Sequence, residues 1–289
     1  MLPVVAVRVP ASTSNLGAGF DCLGLALDLW LDIRLVAGDA AAHYEGALAG
    51  LDAETDIVRR TLRERGVISP FHIEARSDIP VGKGLGSSAA AYVAGFALAQ
   101  LVQRGGLDRD AVFRDAAAAE GHPDNAGPAV YGGLFLASEP PSRLGPHPSL
   151  GIALAVPDTP LSTSAARARL PRDVSRDTAI GQAARAAALV LGLTQGDGDL
   201  IRFGTEDLIA VPMRRDLIVG YDAAVEAGCA AGAYGVTISG AGSALLAIAA
   251  LERAAPVARA MAGALTGAGN PANAMTPGVS ELGLTISGR

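Results

Sequence analysis

Apolar and polar residues alternate from Val4 to Pro10, a period of two that predicts a strand ending at the proline. The segment Ala11 to Asp21 is small, polar and glycine-containing, and reads as a loop. From Leu25 the odd positions Leu25, Leu27, Leu29, Leu31, Ile33 and Leu35 are apolar, with Asp28, Asp32 and Arg34 between them. That alternation predicts a long half-buried strand. Asp56 to Arg65 reads as a helix and Phe71 to Ala75 as a strand. An alanine-rich run reaching about Gln100 is apolar nearly all round, so its helix is expected to be buried on every side. Asp108 is placed to cap a helix running to Glu120, which Gly121-His122-Pro123-Asp124-Asn125 breaks.

Further strands are expected at Gly132–Ala137, Gly151–Val156, Val236–Ser239, Ala244–Ala249 and Leu282–Ser287, and helices at Thr178–Leu191, Asp216–Ala231 and Glu252–Leu265. Pro140 to Pro148 is a proline-rich loop. Strands and helices interleave without a strict βαβ rhythm, which favours an α+β fold. A boundary near the proline-rich loop divides the chain into domains 1–150 and 151–289.

Between the strand at Phe71 and the alanine-rich helix lies Ile79-Pro80-Val81-Gly82-Lys83-Gly84-Leu85-Gly86-Ser87-Ser88-Ala89-Ala90. Glycines at alternate positions let the backbone bend and approach a ligand closely. Two serines then meet a helix start, where unpaired N–H groups and the dipole favour an anion, phosphate above all. A glycine turn with serine as N-cap is the simpler alternative. The run is neither a P-loop, since no Gly-Lys-Ser/Thr closes it, nor the dinucleotide fingerprint.

At 289 residues, half of them hydrophobic, the chain can bury a large core. A net charge of −6 argues against nucleic acid or an anionic membrane as partner. No apolar run reaches the length of a membrane span, and the N-terminus lacks the features of a signal peptide. Cys22 and Cys229 are too few for a disulfide framework, so a cytoplasmic setting is expected. Lys83 is the only lysine.

If the loop holds a nucleoside triphosphate, Mg2+ would need one or two hard oxygen ligands from the protein. Ser88 (or Ser87) and Glu120 are the candidates. The segment Ser12–Asp21 adds Ser12, Thr13, Ser14, Asn15 and Asp21, and the helix break adds His122, Asp124 and Asn125. No His/Cys cluster has metal spacing and no Gly-x-Ser-x-Gly elbow occurs, which disfavours zinc and serine-hydrolase chemistry. A second glycine loop, Thr237 to Ser243, leaves a strand. On the residues alone, the reading is an ATP-dependent phosphate-binding α+β protein.

Residues Ile79–Ala90 closely resemble the second motif of the GHMP kinases. Arg8–Asp21, Glu120–Asn125 and Gly235–Gly242 resemble the motifs of that family's homoserine-phosphorylating branch. The resemblance implies an N-terminal ribosomal S5-like domain and a C-terminal ferredoxin-like domain with the active site between them. It implies ATP phosphates wrapped by Pro80, Val81, Gly82, Lys83, Gly84, Leu85, Gly86, Ser87, Ser88, Ala89 and Ala90, and Mg2+ held by Ser88 and Glu120. Asn15, Asp21, His122 and Asn125 match positions lining the L-homoserine site, with Asp21 on the substrate ammonium. Thr163, Arg167 and Arg214 resemble the sites for its carboxylate. The activity implied is transfer of the γ-phosphoryl group to the homoserine hydroxyl for threonine biosynthesis. Asn125 would orient that hydroxyl, Lys83 would stabilise charge, and a homodimer is the expected assembly.

Three positions depart from the pattern. Asp56 stands where an asparagine is usual near the adenine, Met213 where a tyrosine commonly precedes the arginine, and Ser243 where a proline usually follows the last glycine loop. A mevalonate-type kinase is the alternative acceptor class, though its substrate has no amine for Asp21. A catalytically silent nucleotide sensor is the other alternative, though it needs no metal geometry.

Overall fold

A hairpin of two long strands, β1 (Val5–Asn15) and β2 (Gly19–Ala37), is the spine of the first layer in the computed structural model, which describes residues 4–38, 42–68 and 71–287. The chain continues through β3 (Ala42–Gly46), α1 (Ile57–Glu64), β4 (Phe71–Ser77), α2 (Ser87–Arg104), α3 (Arg109–Glu120) and α4 (Ala126–Tyr131). Two short strands, β5 (Leu134–Leu136) and β6 (Ser142–Leu144), lead to β7 (Leu150–Pro157). Helices α5 (Thr163–Ala168), α6 (Arg176–Gln195), α7 (Gly198–Thr205), α8 (Val211–Arg214) and α9 (Tyr221–Ala230) follow. The chain closes with β8 (Ala233–Ile238), β9 (Leu245–Ala250), α10 (Ala254–Gly267), β10 (Ala272–Met275) and β11 (Thr285–Ile286).

The first sheet runs β11-β1-β2-β4-β3, with β5 on β2 and β6 on β5. The second runs β10-β7-β9-β8 with every pairing antiparallel. Numbered from β7, that order is four-one-three-two, and a helix follows the first and the third strand. This is the ferredoxin-like arrangement. The first sheet's edge strand β11 comes from the far end of the chain, so residues after Met275 return to the first layer. The overall architecture is the α+β, two-layer arrangement expected.

Strand β7 is buried along its whole length, as a continuous apolar run demands. Ile152, Leu154 and Val156 face the core shared with the first layer, whereas Ala153 and Ala155 pack with α9 and α10. Helix α2 is sunk into the first layer through Ala90, Val93, Ala94, Ala97 and Leu98, all fully buried. Asp56 and Asp108 cap α1 and α3 through the amides of Val58 and Ala111, at 2.8 and 3.0 Å.

Three sequence expectations are corrected. Ala11–Asn15 is strand, not loop: β1 continues past Pro10, and only Leu16–Ala18 turn. Its hydroxyls, polar by composition, are buried and bonded across the molecule, Ser12 Oγ to Asn125 Oδ1 and Thr13 Oγ1 with Ser239 Oγ, both at 2.8 Å. The helix expected over Asp216–Ala231 begins only at Tyr221, because Arg215–Leu217 forms a separate 3-10 turn ahead of Gly220. The strand expected over Leu282–Ser287 shrinks to Thr285–Ile286, since Leu284 donates its amide to Ala129 of α4 instead of to a sheet.

Candidate active site

The glycine loop sits between β4 and α2, and Gly82 to Ser88 line a cleft between the two layers. Helix α2 starts at Ser87 with Gly86 as its N-cap, and no side chain caps it. The simple reading of serine as N-cap is thereby set aside. First-turn amides remain available to an anion, reinforced by the helix dipole. Ser88 instead donates its hydroxyl to Glu120 Oε1 at 2.5 Å. Glu120 closes α3, and burial raises its pKa above the ordinary carboxylate value, opposed by the Ser88 hydrogen bond and the charge of His122.

The second glycine loop explains the position of the first. Gly84 has φ +78°, and a β-carbon there would overlap the Ser239 carbonyl oxygen, so the two loops pack backbone on backbone. Ser239 Oγ donates to the Gly84 carbonyl at 2.7 Å, and Ala244 N to the Lys83 carbonyl at 3.0 Å. Lys83 Nζ reaches the Asp158 carbonyl at 2.5 Å, beyond the end of β7. Burial lowers its pKa, with the Asp158 charge acting the other way.

Opposite the loop stand the polar side chains of the hairpin and of the break after α3. Asn125 is held at both ends, by Ser12 through Oδ1 and by donating to Ser14 Oγ at 2.9 Å. Asn15 donates to the Gly240 carbonyl at 2.9 Å and accepts the Asp21 amide at 3.0 Å. Asn15 and Asp21 both have positive φ, +71° and +56°, and so fold the strand ends into the cleft. His122 Nδ1 is bonded to Asp124 Oδ1 in a buried pair. Burial opposes the charge on His122, but the Asp124 hydrogen bond and charge outweigh it and leave the pKa raised.

Arg167 forms a bidentate pair with Asp21, at 2.7 and 3.1 Å. Arg214 is only 3% exposed, and it donates to the Ala166 and Gly240 carbonyls at 3.2 and 3.4 Å. Among the described residues no carboxylate forms an ion pair with it. Burial lowers its pKa, and the charge of Arg167 adds to that. A buried guanidinium facing a cleft is a receptor for a carboxylate or phosphate oxygen. Asp21, His122 and Asp124 also bring ligand atoms within 4.8 Å of one another, but each is already paired as described.

On the far side of the loop, Val81, Gly82, Ser87 and Ser88 border a second hollow of about 260 Å³. Its other walls are mainly apolar, including Leu31, Ile33 and Val58. Asp56 lies at its edge, accepting from the Tyr44 hydroxyl at 2.7 Å and from the Val58 amide. The glycine loop thus borders a polar cleft on one side and a mainly apolar hollow on the other.

Residues 54–133 match the model of the GHMP kinases N terminal domain. The chain is 38% identical to homoserine kinase of Picosynechococcus over 97% of its own length and 98% of the relative's. It is 40% identical to homoserine kinase of Thermus thermophilus over 88% of its own length and 89% of that protein's. The chain belongs to the homoserine kinase family. The crystal structure of homoserine kinase from Cytophaga hutchinsonii superposes with a TM-score of 0.83 at 29% identity, covering 98% of this chain and 97% of that one. A mevalonate kinase from L. major shares the fold at a TM-score of 0.69 and 16% identity, over 94% of both chains.

As a kinase of this family the protein uses ATP. Of the residues singled out in its sequence, Asn15, Asp21, Gly82 to Ser88, Glu120, His122, Asn125, Thr163, Arg167 and Arg214 all border the one cleft. Pro80, Ala89 and Ala90 lie outside it, the two alanines fully buried in α2, and Val81 faces the apolar hollow. Thr163 is exposed at the rim, where it opens α5 behind its cap Ser162. Ser243, at a departure from the family pattern, bonds the Thr159 carbonyl at 2.5 Å, and Met213 points outward at 44% exposure. Gly240, Ala241 and Leu161 also line the cleft, and Phe20 lies behind it. Gly240 and Ala241 belong to the second glycine loop singled out in the sequence, whereas Leu161 and Phe20 carried no signal by type.

Among the described residues, no helix is long and apolar enough to cross a membrane. Both cysteines are free thiols.

Proposed function

We propose that the protein transfers the γ-phosphoryl group of ATP to the side-chain hydroxyl of L-homoserine, giving O-phospho-L-homoserine. One observation carries the reading: an anion, Asp21, and two cations, Arg167 and Arg214, face the phosphate loop across a single cleft. A small zwitterion with a terminal hydroxyl satisfies both signs at once. Its ammonium takes Asp21 and its carboxylate takes the two guanidinium forks. A mevalonate-type acceptor carries no ammonium to replace Arg167 on Asp21 when that guanidinium turns to the carboxylate.

Each residue then has a task. The free amides at the mouth of α2 hold the polyphosphate, and Lys83 adds a positive charge beside it. Asn125, locked between Ser12 and Ser14, holds the hydroxyl oxygen in line with the γ-phosphorus. Asp124 is occupied by His122, and the loose transition state of phosphoryl transfer lets the hydroxyl proton leave late. Ser88 and Glu120 fit Mg2+, since they bring two hard oxygens together at the loop mouth and one carries a charge that burial penalises. Ser88 and Glu120 would hold the ion, which supplies neutralisation of the phosphate oxygens when bound. The apolar hollow beside Asp56 takes the adenine. The same proposal has the enzyme working in the cytoplasm, which its two free thiols support, and as a homodimer.

An ADP-release assay across homoserine, mevalonate, threonine and galactose, with magnesium present or chelated, tests the reading. Homoserine-dependent, magnesium-dependent release is expected. Turnover of another of these alcohols with none of homoserine would overturn it.

A further inference from the structure

Phe20 stands immediately before Asp21, and its ring lies under both arginines of the cleft. The Arg214 guanidinium carbon is 5.2 Å from the ring centroid and that of Arg167 is 6.0 Å away. Both distances are in the range where an aromatic face attracts a cation. We infer that Phe20 is a positioning residue, its ring holding Arg167 and Arg214 at the spacing that receives the substrate carboxylate. The inference rests on the reading of the cleft proposed above.

Two guanidiniums turned toward one ligand repel each other, and something must hold them before the ligand arrives. Asp21 answers for Arg167 alone, and only until the substrate ammonium claims it. Arg214 has two backbone carbonyls and no ion-pair partner among the described residues. A carboxylate at position 20 would steady both cations, but it would compete with the substrate for them. An aromatic face attracts without neutralising, so the forks stay in place and stay receptive. The backbone fixes this arrangement: Asp21 at φ +56°, its amide held by Asn15 Oδ1, lets its carboxylate meet Arg167 while the adjacent Phe20 ring meets both arginines. Phe20 itself does not line the cleft.

The test compares Phe20→Leu and Phe20→Tyr with the wild type, using L-homoserine as substrate and 3-aminopropan-1-ol as competitive inhibitor. The inhibitor keeps the ammonium and the hydroxyl but lacks the carboxylate. Phe20→Leu is expected to raise the homoserine KM on the order of tenfold, the loss of a desolvated cation–π contact. The kcat and the ATP KM should stay within about twofold, the inhibition constant should not move, and Phe20→Tyr should restore the KM. Phe20→Met replaces the leucine variant if that one does not fold. Equal weakening of homoserine and the carboxylate-free inhibitor, or no rescue by tyrosine, would overturn the role of Phe20. Absence of homoserine turnover by the wild type would instead remove the proposed function.

Discussion

Arg167 and Asp21 lie 146 residues apart and meet in a two-point ion pair, with 36% and 33% of their side chains exposed. At that exposure an ion pair contributes about 1 kcal/mol or less, which makes it readily exchanged. In the proposed complex a zwitterion would replace it without a net change of charge, its ammonium facing Asp21 and its carboxylate facing Arg167.

Replacing Asp21 by asparagine keeps the shape and removes the charge. The homoserine KM is expected to rise roughly 10- to 100-fold, the loss of one charge-assisted contact. The ATP KM should stay within about twofold. Steady-state kinetics with each substrate varied in turn measures both, and equal increases would place Asp21 away from the amino-acid end of the cleft.

Glu120→Gln should lower kcat by about 10²-fold or more, since ion-assisted charge stabilisation is worth several kcal/mol, while nucleotide binding is largely kept. The pH dependence follows from burial, which raises the Glu120 pKa. The ionised form that binds a cation therefore accumulates only as pH rises through that raised value, giving an acid limb in kcat. Higher magnesium should shift the limb to lower pH. Rate profiles at two magnesium concentrations, for wild type and Glu120→Gln, decide the point.

His122 has a raised pKa, the Asp124 partner outweighing burial, with Arg167 opposing and Glu120 assisting. Its stabilising contribution is fully present below the unfolded value of about 6.5 and is lost as pH rises through the folded value. Tm should therefore decline across that window in the wild type. His122→Gln should have a lower Tm on the acid side and a flatter profile. Thermal melts over a pH series check this, and parallel curves would assign the decline to other groups.

Two glycines of the phosphate loop are expected to differ in their tolerance of alanine. Gly84→Ala meets the Ser239 backbone, so the loops must part, and nucleotide affinity should fall at least about tenfold with a loss of 2 kcal/mol or more, at about the upper end for single substitutions. Gly82 shares the left-handed backbone, but its nearest neighbour is Pro160 at 3.6 Å. Gly82→Ala should cost only the strain of its φ, about 1 kcal/mol. Denaturant unfolding and nucleotide titration of both variants separate overlap from strain.

Much of this was legible in the sequence where one physical demand acted alone. The all-round apolar face of α2 announced its burial, and Asp108 announced the helix it caps. Serine and threonine between Ala11 and Asn15 misled, because a polar strand bonded across two layers has the composition of a loop. The edge strand β3 and the short helices α5 and α7 escaped for a related reason, being too brief to establish a period. In the cleft, charged and amide residues were identifiable from their motifs. Gly240 and Ala241 were legible only as members of a glycine loop, and Phe20 had no assigned role, because an aromatic ring and two small residues acquire a task only when distant chain segments meet.

Leu284 is fully buried in the first layer's core, and its neighbours Thr285 and Ile286 pair with β1. During synthesis, then, the layer that begins at Val5 cannot seal its last seam until the other layer has emerged from the ribosome. A chain ending just short of Leu284 would leave the edge of β1 open, exposed to chaperones and to other unfinished chains.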